Sequence, residues 1–307
     1  MRAVRIHRFG PPDVILVDDL PLPNPGSGEV LVHVAASGVG PWDALIREGK
    51  SKVSPKPPLT LGSDLSGTID AVGQNVSDFN PGDEIYGVTN PQFCGANSEF
   101  AIASANMVAK KPKRLTHIEA ASVPVIAVTA WQMLFEYARV AAGQHVLILG
   151  AAGNVGAYAV QLAVKRGIKV TATAGPKDIE YVRLLDADTV LDYQLVDYED
   201  EVSPVDAVID TVGGDARERS FRVVKPNGIV VSVVSTDPMP QHSDKSSVFF
   251  YVEVTTSRLN TISKMMDEGT LVPHVGTVLP LSEARAAHEM LGGAPHKRGK
   301  IVLNVNA

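Results

Sequence analysis

Three glycines at positions 150, 153 and 156, in the stretch HVLILGAAGNVG (145–156), have the spacing that points most directly to chemistry. The apolar run Val146 to Leu149 reads as a buried strand, and Gln161 to Val164 continues with helical character. Strand, glycine turn and helix are the order in which a dinucleotide pyrophosphate meets the unpaired N–H groups of a helix N-terminus. The turn comprises Gly150, Ala151, Ala152, Gly153, Asn154, Val155 and Gly156. Gly153 is expected to let the backbone approach the phosphates, and Gly156 to let the helix pack close to the strand. Ala151 takes the place of the first glycine in the usual G-x-G-x-x-G spacing.

The kind of dinucleotide follows from charge. An NAD site usually carries an Asp or Glu about twenty residues beyond the glycines, at the end of the second strand, to bind the ribose hydroxyls. Here that strand end reads Thr173-Ala174-Gly175-Pro176-Lys177. It has no carboxylate to repel a 2′-phosphate, and Lys177 offers a positive charge, so NADPH is expected. The bland alternative for Lys177 is a solvated lysine at a helix start. Val212 and Gly213, after the strand at 205–210, and Val234 and Ser235, after the strand at 229–234, fall where a parallel sheet binds its cofactor. Lys300, in RGKIVL, is a candidate to reach the cofactor phosphates from the tail, or a strand-start lysine.

These residues need a scaffold, and the pattern supplies one. From residue 145 to about 234 short apolar strands alternate with helical stretches, which is the signature of a doubly wound parallel sheet. Residues 1 to about 115 are β-rich, with strands expected at 30–35, 65–72, 84–88 and 99–103 and turns at PNPGSG, SPKPP and NPGD. Thr116 and Glu119 have capping-box spacing ahead of a long apolar helical stretch, which Pro124 is expected to break. After an apolar segment, VFFYVEV (248–254), come two helical stretches and a last strand near 299–305, a tail expected to return to the first domain.

The bulk numbers exclude several classes. At 45% hydrophobic and 20% charged residues the composition is that of an ordinary globular enzyme. A net charge of −6 argues against a nucleic-acid or anionic-membrane partner. No run reaches the length of a membrane span and the N-terminus has no apolar signal core, so a cytoplasmic protein is expected. A single cysteine, Cys94, excludes an internal disulfide and a multi-cysteine zinc site; with no basic partner nearby it reads as an unactivated thiol.

In their order and spacing, GEVLVHVAASGV, LGSDLSGTIDAVG, FNPGDEIYG, VTAWQML, HVLILGAAGNVG, DTVGG and RGKIVL resemble the medium-chain dehydrogenase/reductase superfamily. The likeness is to its zinc-free quinone oxidoreductase branch, the zeta-crystallin-like proteins. It implies a Rossmann domain (119–258) inserted in a β-rich GroES-like catalytic domain (1–118 and 259–307), with an active cleft between them. Zinc-dependent members carry a Cys ligand near the stretch Ser37 to Gly40, and a His-Glu pair where this chain has Ser63-Asp64. With those ligands missing, no zinc is expected. Many quinone reductases have Asn where this chain has Gly40 and Tyr where it has Leu45, whereas Asp43 and Arg47 match.

The resemblance further implies roles around the nicotinamide for Thr129 and Phe250, and around the adenosine phosphate for Tyr193. In the catalytic domain it brings Gly40, Trp42 and Asp43 to the substrate. Asp43 reads as a proton-relay group or a helix cap, Trp42 as an aromatic wall or a packing residue, and Phe250 as a cofactor contact or a core residue. The implied activity is NADPH-dependent hydride transfer to a small-molecule acceptor, a quinone or an α,β-unsaturated carbonyl. The alternatives are an NADPH-binding structural or regulatory protein on the same fold, and an enoyl-thioester reductase. The VFFYVEV strand, if left at a sheet edge, favours a homodimer.

Overall fold

The alternation of VLVHVAAS places Val30, Val32, Val34 and Ala36 inside a β core, and the fold of the N-terminal part grows around that strand. A computed structural model describes residues 1–53, 55–234 and 244–306. In chain order its elements begin with β1 (Arg2–Ile6), β2 (Ile15–Asp19), β3 (Glu29–Val39), α1 (Pro41–Arg47), β4 (Leu59–Thr60) and β5 (Asp64–Val72). They continue with β6 (Glu84–Val88), β7 (Phe100–Ser104), β8 (Val108–Lys110), α2 (His117–Ala121) and α3 (Pro124–Trp131). α2 starts at the expected capping box, with the Glu119 N–H donating to the Thr116 hydroxyl at 3.2 Å and the Glu119 carboxylate accepting from the Thr116 N–H at 2.8 Å. Pro124 does break the apolar stretch: it opens α3, and a π-helical turn over Gln132–Tyr137 follows.

The second unit holds β9 (His145–Leu149), α4 (Asn154–Lys165), β10 (Lys169–Ala174), α5 (Ile179–Arg183), β11 (Thr189–Asp192), α6 (Tyr198–Glu201), β12 (Val205–Asp210), α7 (Gly214–Ser220), β13 (Val224–Ser232) and β14 (Ser246–Phe249). Its strands form one parallel sheet in the order β11-β10-β9-β12-β13-β14. β9 is therefore central, and Val146 to Leu149 are buried, as an unbroken apolar run requires. Two details differ from the sequence expectation. The KPNG segment, by sequence a turn between a helix and the strand at 229–234, is absorbed into β13, where Asn227 takes a φ of 64° and the register against β12 shifts. The VFFYVEV strand stops at Phe249, because Phe250 turns inward and stacks on Tyr137 with ring centroids 4.2 Å apart.

The chain then supplies α8 (Thr256–Asp267), β15 (Val275–Pro280), α9 (Ala284–Leu291) and β16 (Lys300–Asn304). β16 pairs antiparallel with β3, completing a seven-stranded sheet whose main path is β15-β16-β3-β5-β6-β8, with β7 also on β3. The tail thus belongs to the first unit, Met1–Val125 with Val254–Ala307, while the second is Ile126–Glu253. These boundaries lie a few residues inside the expected 118/119 and 258/259. α2 lies with the first unit because Ala121 packs with Ala36 and Val302. The start of α8 does so because the Thr256 hydroxyl donates to the Val108 carbonyl at 2.7 Å.

α9 is anchored by a buried histidine. His288, 1% exposed, accepts at Nδ1 from the Arg47 guanidinium at 2.9 Å, and Arg47 also donates to the Gly10 carbonyl. Burial and the adjacent guanidinium push its pKa down to about 3. A folded-state pKa below the unfolded one means that the unfolded chain binds the extra proton. Stability contributed by neutral His288 is therefore complete above about pH 6.5 and is lost as pH falls toward 3, by up to about 1.4 kcal/mol per pH unit. In urea titrations at pH 4.5 and 7, His288→Gln, which still accepts from Arg47, is expected to show a smaller acid loss than wild type. An equal loss in both would remove His288 as its source.

Candidate functional site

In the second unit the functional geometry starts where β9 ends. Gly150 takes a φ of 74°, and a Cβ there would strike the Thr211 hydroxyl at 2.6 Å and Val212 at 2.8 Å, so the turn needs glycine. Its N–H donates to the Thr173 hydroxyl at 3.3 Å. Ala151 is buried, and its N–H donates to the Thr173 carbonyl at 3.0 Å, tying the turn to the end of β10. Gly153 is the N-cap of α4, and a Cβ there would meet only the Gly150 carbonyl, at 3.3 Å. Gly156 is different: a Cβ would lie 2.3 Å from the Gly150 carbonyl oxygen and 2.8 Å from the Ala151 Cα. Gly156 is thus the close-packing glycine and Gly153 the one that leaves space over the helix N-terminus, with Asn154 and Val155 forming its first turn.

That space opens into a cleft of about 370 Å³ at the C-terminal edge of the sheet. Gly150, Ala152, Gly153, Thr173, Ala174, Tyr193 and Val212 line it, all of them sequence candidates. Asp178, Tyr198, Thr211, Ala216 and Arg219 line it as well, and sequence reading missed them. Asp178 matters most, because it brings a carboxylate to a wall read from residues 173–177 as acid-free. Arg219 reaches the wall from α7, its guanidinium 5.1 Å from the Tyr198 ring centre and 2.8 Å from the Glu199 carboxylate. The turn after β12 is held by Asp210, also missed. This buried carboxylate accepts from the N–H groups of Val212 at 3.0 Å and Gly213 at 2.8 Å, and from the Ser232 hydroxyl. A buried acid ending a parallel strand, followed by a Gly-Gly pair, was the available signal.

Other expected residues are placed less simply. Val234 is exposed just past β13, and Ser235 lies outside the described residues. Lys177 is exposed beyond β10. Thr129 is buried on α3. Phe250 is 7% exposed and stacks on Tyr137.

The first unit holds a second polar cluster, and it redirects the expectation for Lys300. That side chain is fully buried, with its ammonium 3.0 Å from the Asp64 carboxylate and 4.1 Å from the centre of the Trp42 ring. An ammonium committed to a buried carboxylate and an aromatic face is not a solvent-facing phosphate ligand, and this burial corrects the phosphate role. Asp64 also accepts from the Val125 N–H at 3.2 Å. Trp42 donates its indole N–H to the Ser63 hydroxyl at 2.8 Å. Asp43 takes the capping role, since its carboxylate accepts from the Gly40 N–H at 2.8 Å and closes the N-terminus of α1. Burial lifts the Asp43 carboxyl to about 7 against the pull of that N–H and of Lys300. Leu45 is exposed, and Arg47 is committed to α9. Burial pushes the Cys94 thiol up, consistent with an unactivated side chain.

With the glycine cleft and this sheet in place, comparison with known proteins becomes decisive. Residues 26–113 match the family described as "Alcohol dehydrogenase GroES-like domain", and residues 185–303 the one described as "Zinc-binding dehydrogenase". The human "Quinone oxidoreductase" is 30% identical over 99% of this chain and 97% of its own length. The chain belongs to the quinone oxidoreductase branch of the medium-chain dehydrogenases/reductases. It is an oxidoreductase with a GroES-like domain and a Rossmann sheet, of a family that uses a nicotinamide cofactor. The solved "quinone oxidoreductase from Coxiella burnetii" has a TM-score of 0.89 at 31% identity, covering 100% of this chain and 99% of that one. An "NAD-dependent alcohol dehydrogenase" structure has a TM-score of 0.90 at 31% identity, covering 100% of both chains.

Zinc, named in one family description, does not fit the donor set here. Gly40 offers no ligand, the Ser63 hydroxyl accepts from Trp42, and Asp64 is held by Lys300. The glycine cleft does fit a dinucleotide, through the space over Gly153 at the N-terminus of α4. Among the described residues no helix is long and apolar enough to cross a membrane.

The Lys300–Asp64 pair gives a stability test. Lys300→Met leaves a buried carboxylate without its partner and is expected to cost about 3–5 kcal/mol in urea unfolding. Adding Asp64→Leu to it is expected to recover most of that loss. A single variant as stable as wild type would show that the pair contributes nothing.

Proposed function

We propose that this oxidoreductase uses NADPH to deliver hydride, without zinc, to a quinone or to the β-carbon of an α,β-unsaturated carbonyl. The observation that carries the reading is the open N-terminus of α4 at Gly153, facing the cleft between the ends of β9, β10 and β12. A pyrophosphate there accepts from backbone N–H groups and sits at the positive end of a twelve-residue helix. Tyr193 offers a flat exposed ring for the adenosine. Exposed Lys177, three residues past β10, offers positive charge for a 2′-phosphate, whereas Arg219 in the wall is already paired with Glu199, Asp197 and Asp215.

When bound, the nicotinamide supplies the hydride. The chain binds and orients it and keeps the site dry. Without a metal to polarise a carbonyl, simple ketone reduction is disfavoured and an electron-poor conjugated acceptor is favoured. The product proton comes from solvent or a ribose hydroxyl.

Asp178 in the cleft wall favours a second reading, NADH in place of NADPH. Steady-state rates with both cofactors, against a panel of quinones and enones, decide between them. NADPH preferred by at least tenfold in kcat/KM supports the first reading, and a preference for NADH supports the second. With NADPH, Lys177→Ala is expected to weaken binding by about tenfold or more and to leave NADH binding nearly unchanged. Tight cofactor binding with no turnover on any acceptor would leave a binding protein on this fold.

β14, at the edge of the parallel sheet, supports a homodimer formed by pairing with its copy. Light scattering at micromolar concentration is expected to give twice the chain mass, and a monomer would overturn it.

A further inference from the structure

Asp210, fully buried at the last position of β12, joins two loops that no strand pairing connects. One carboxylate oxygen accepts from the Val212 N–H at 3.0 Å and the Gly213 N–H at 2.8 Å, and the other from the Ser232 hydroxyl at 2.6 Å. Ser232 lies beside Asp210 in register at the end of β13, is itself fully buried, and accepts from the Val234 N–H at 3.4 Å. One carboxylate therefore ties the loop after β12 to the loop after β13. The Thr211 hydroxyl donates to the Leu149 carbonyl at 2.7 Å, which joins the first of these loops to the glycine turn as well.

The valines that the two loops carry are not buried. Val212 is 49% exposed and Val234 is 48% exposed. Each is seated against a glycine of the neighbouring loop. A Cβ on Gly150 would fall 2.8 Å from the Val212 Cγ2, and one on Gly213 would fall 3.1 Å from the Val234 Cγ1. β-Branched side chains held this way on a fixed backbone keep little rotamer freedom. The result is a rigid apolar surface left open at the C-terminal edge of the sheet, with Val212 in the cleft wall. The strand order β11-β10-β9-β12-β13-β14 is that of two mononucleotide-binding halves meeting between β9 and β12. With the pyrophosphate on α4 and the adenosine on the β10 side, the β12–β13 side is left for the second mononucleotide.

We propose that Asp210, bonded to Ser232, positions the nicotinamide by holding Val212 and Val234 as one preformed apolar floor for its ring. The proposal rests on the dinucleotide reading above and adds the buried pair that seats the hydride-bearing end. Asp210 and Ser232 are positioning residues that act through the two loops. A floor fixed before binding reduces the entropy lost when the ring settles, so the affinity it adds is confined to the nicotinamide half.

A split between the two halves of the cofactor is the readout that a merely structural role would not produce. In calorimetric titrations Asp210→Ala is expected to weaken NADP⁺ about tenfold and to change adenosine 2′,5′-bisphosphate, which lacks the nicotinamide, by less than about twofold. NAD⁺ and ADP take their places if NADH is the preferred cofactor. Asp210→Asn keeps an oxygen for the two N–H groups and turns its NH₂ toward the Ser232 hydroxyl, so it is expected to regain most of the NADP⁺ affinity. Ser232→Ala leaves the bonds to Val212 and Gly213 in place and releases only the β13 loop. It is expected to weaken NADP⁺ about threefold, and it carries the test should Asp210→Ala fail to fold.

Bound NADPH supplies a second readout. Its nicotinamide emission, enhanced when the ring is immobilised, is expected to fall toward the free value in Asp210→Ala at saturating cofactor. Equal weakening of the dinucleotide and its fragment, or no change in either, overturns the positioning role and leaves the dinucleotide reading in place. Wild-type protein that binds neither NADP⁺ nor NAD⁺ overturns that reading, and this proposal with it.

Discussion

A lysine ammonium with no access to water must be held by other charges, and in the first unit that requirement organises the sheet. Lys300 opens β16 and Asp64 opens β5, on either side of β3. The pair closes across β3 at Gly38, where a Cβ would come within 3.0 Å of both the Asp64 Cβ and the Lys300 Cε. A buried pair of this kind adds little net stability over apolar packing, but breaking it is expensive. It therefore penalises any register in which the returning C-terminal strand fails to bring Lys300 opposite Asp64. Burial raises the Asp64 carboxyl while Lys300 pulls it down, and burial likewise lifts Asp43 on α1 to about 7 against the pull of the same ammonium.

The same ammonium fixes the aromatic surface. Cation–π contact with Trp42 covers part of the indole, and the Ser63 hydroxyl takes its N–H. Ser63 and Asp64 thus serve side-chain placement, one through the indole and the other through the ammonium. Position 40 has no ligand to offer, and Asp64 neutralises a lysine.

In the second unit the governing constraint is backbone proximity. Gly156 lets α4 close on the turn, Gly150 turns where the Thr211 and Val212 side chains leave no room for a β-carbon, and Asp210 collects the N–H groups of the next loop. Their combined effect is to leave unpaired N–H groups at the helix N-terminus facing a cleft walled by three strand ends. No single residue makes that site. It follows from three parallel strands ending at the same edge.

Much of this was legible in the chain alone, because it depends on local pattern. The buried run Val146 to Leu149, the glycine spacing after it, the capping box at Thr116 and Glu119, and the alternation of strands and helices each act over a few residues, where backbone sterics and periodicity dominate. The roles that sequence reading left open or misplaced involve distant partners. Lys300, open by sequence to a phosphate role or to that of a strand-start lysine, is decided by β16 lying beside β3. Phe250 stacks on Tyr137, far from it in the chain, and Asp178 lies one residue beyond the 173–177 stretch. The turn and its helix are dictated by residues adjacent in the chain. Whether a lysine faces solvent or a buried carboxylate depends on strands far apart in the chain meeting in one sheet, and burial sets those charges only once they have met.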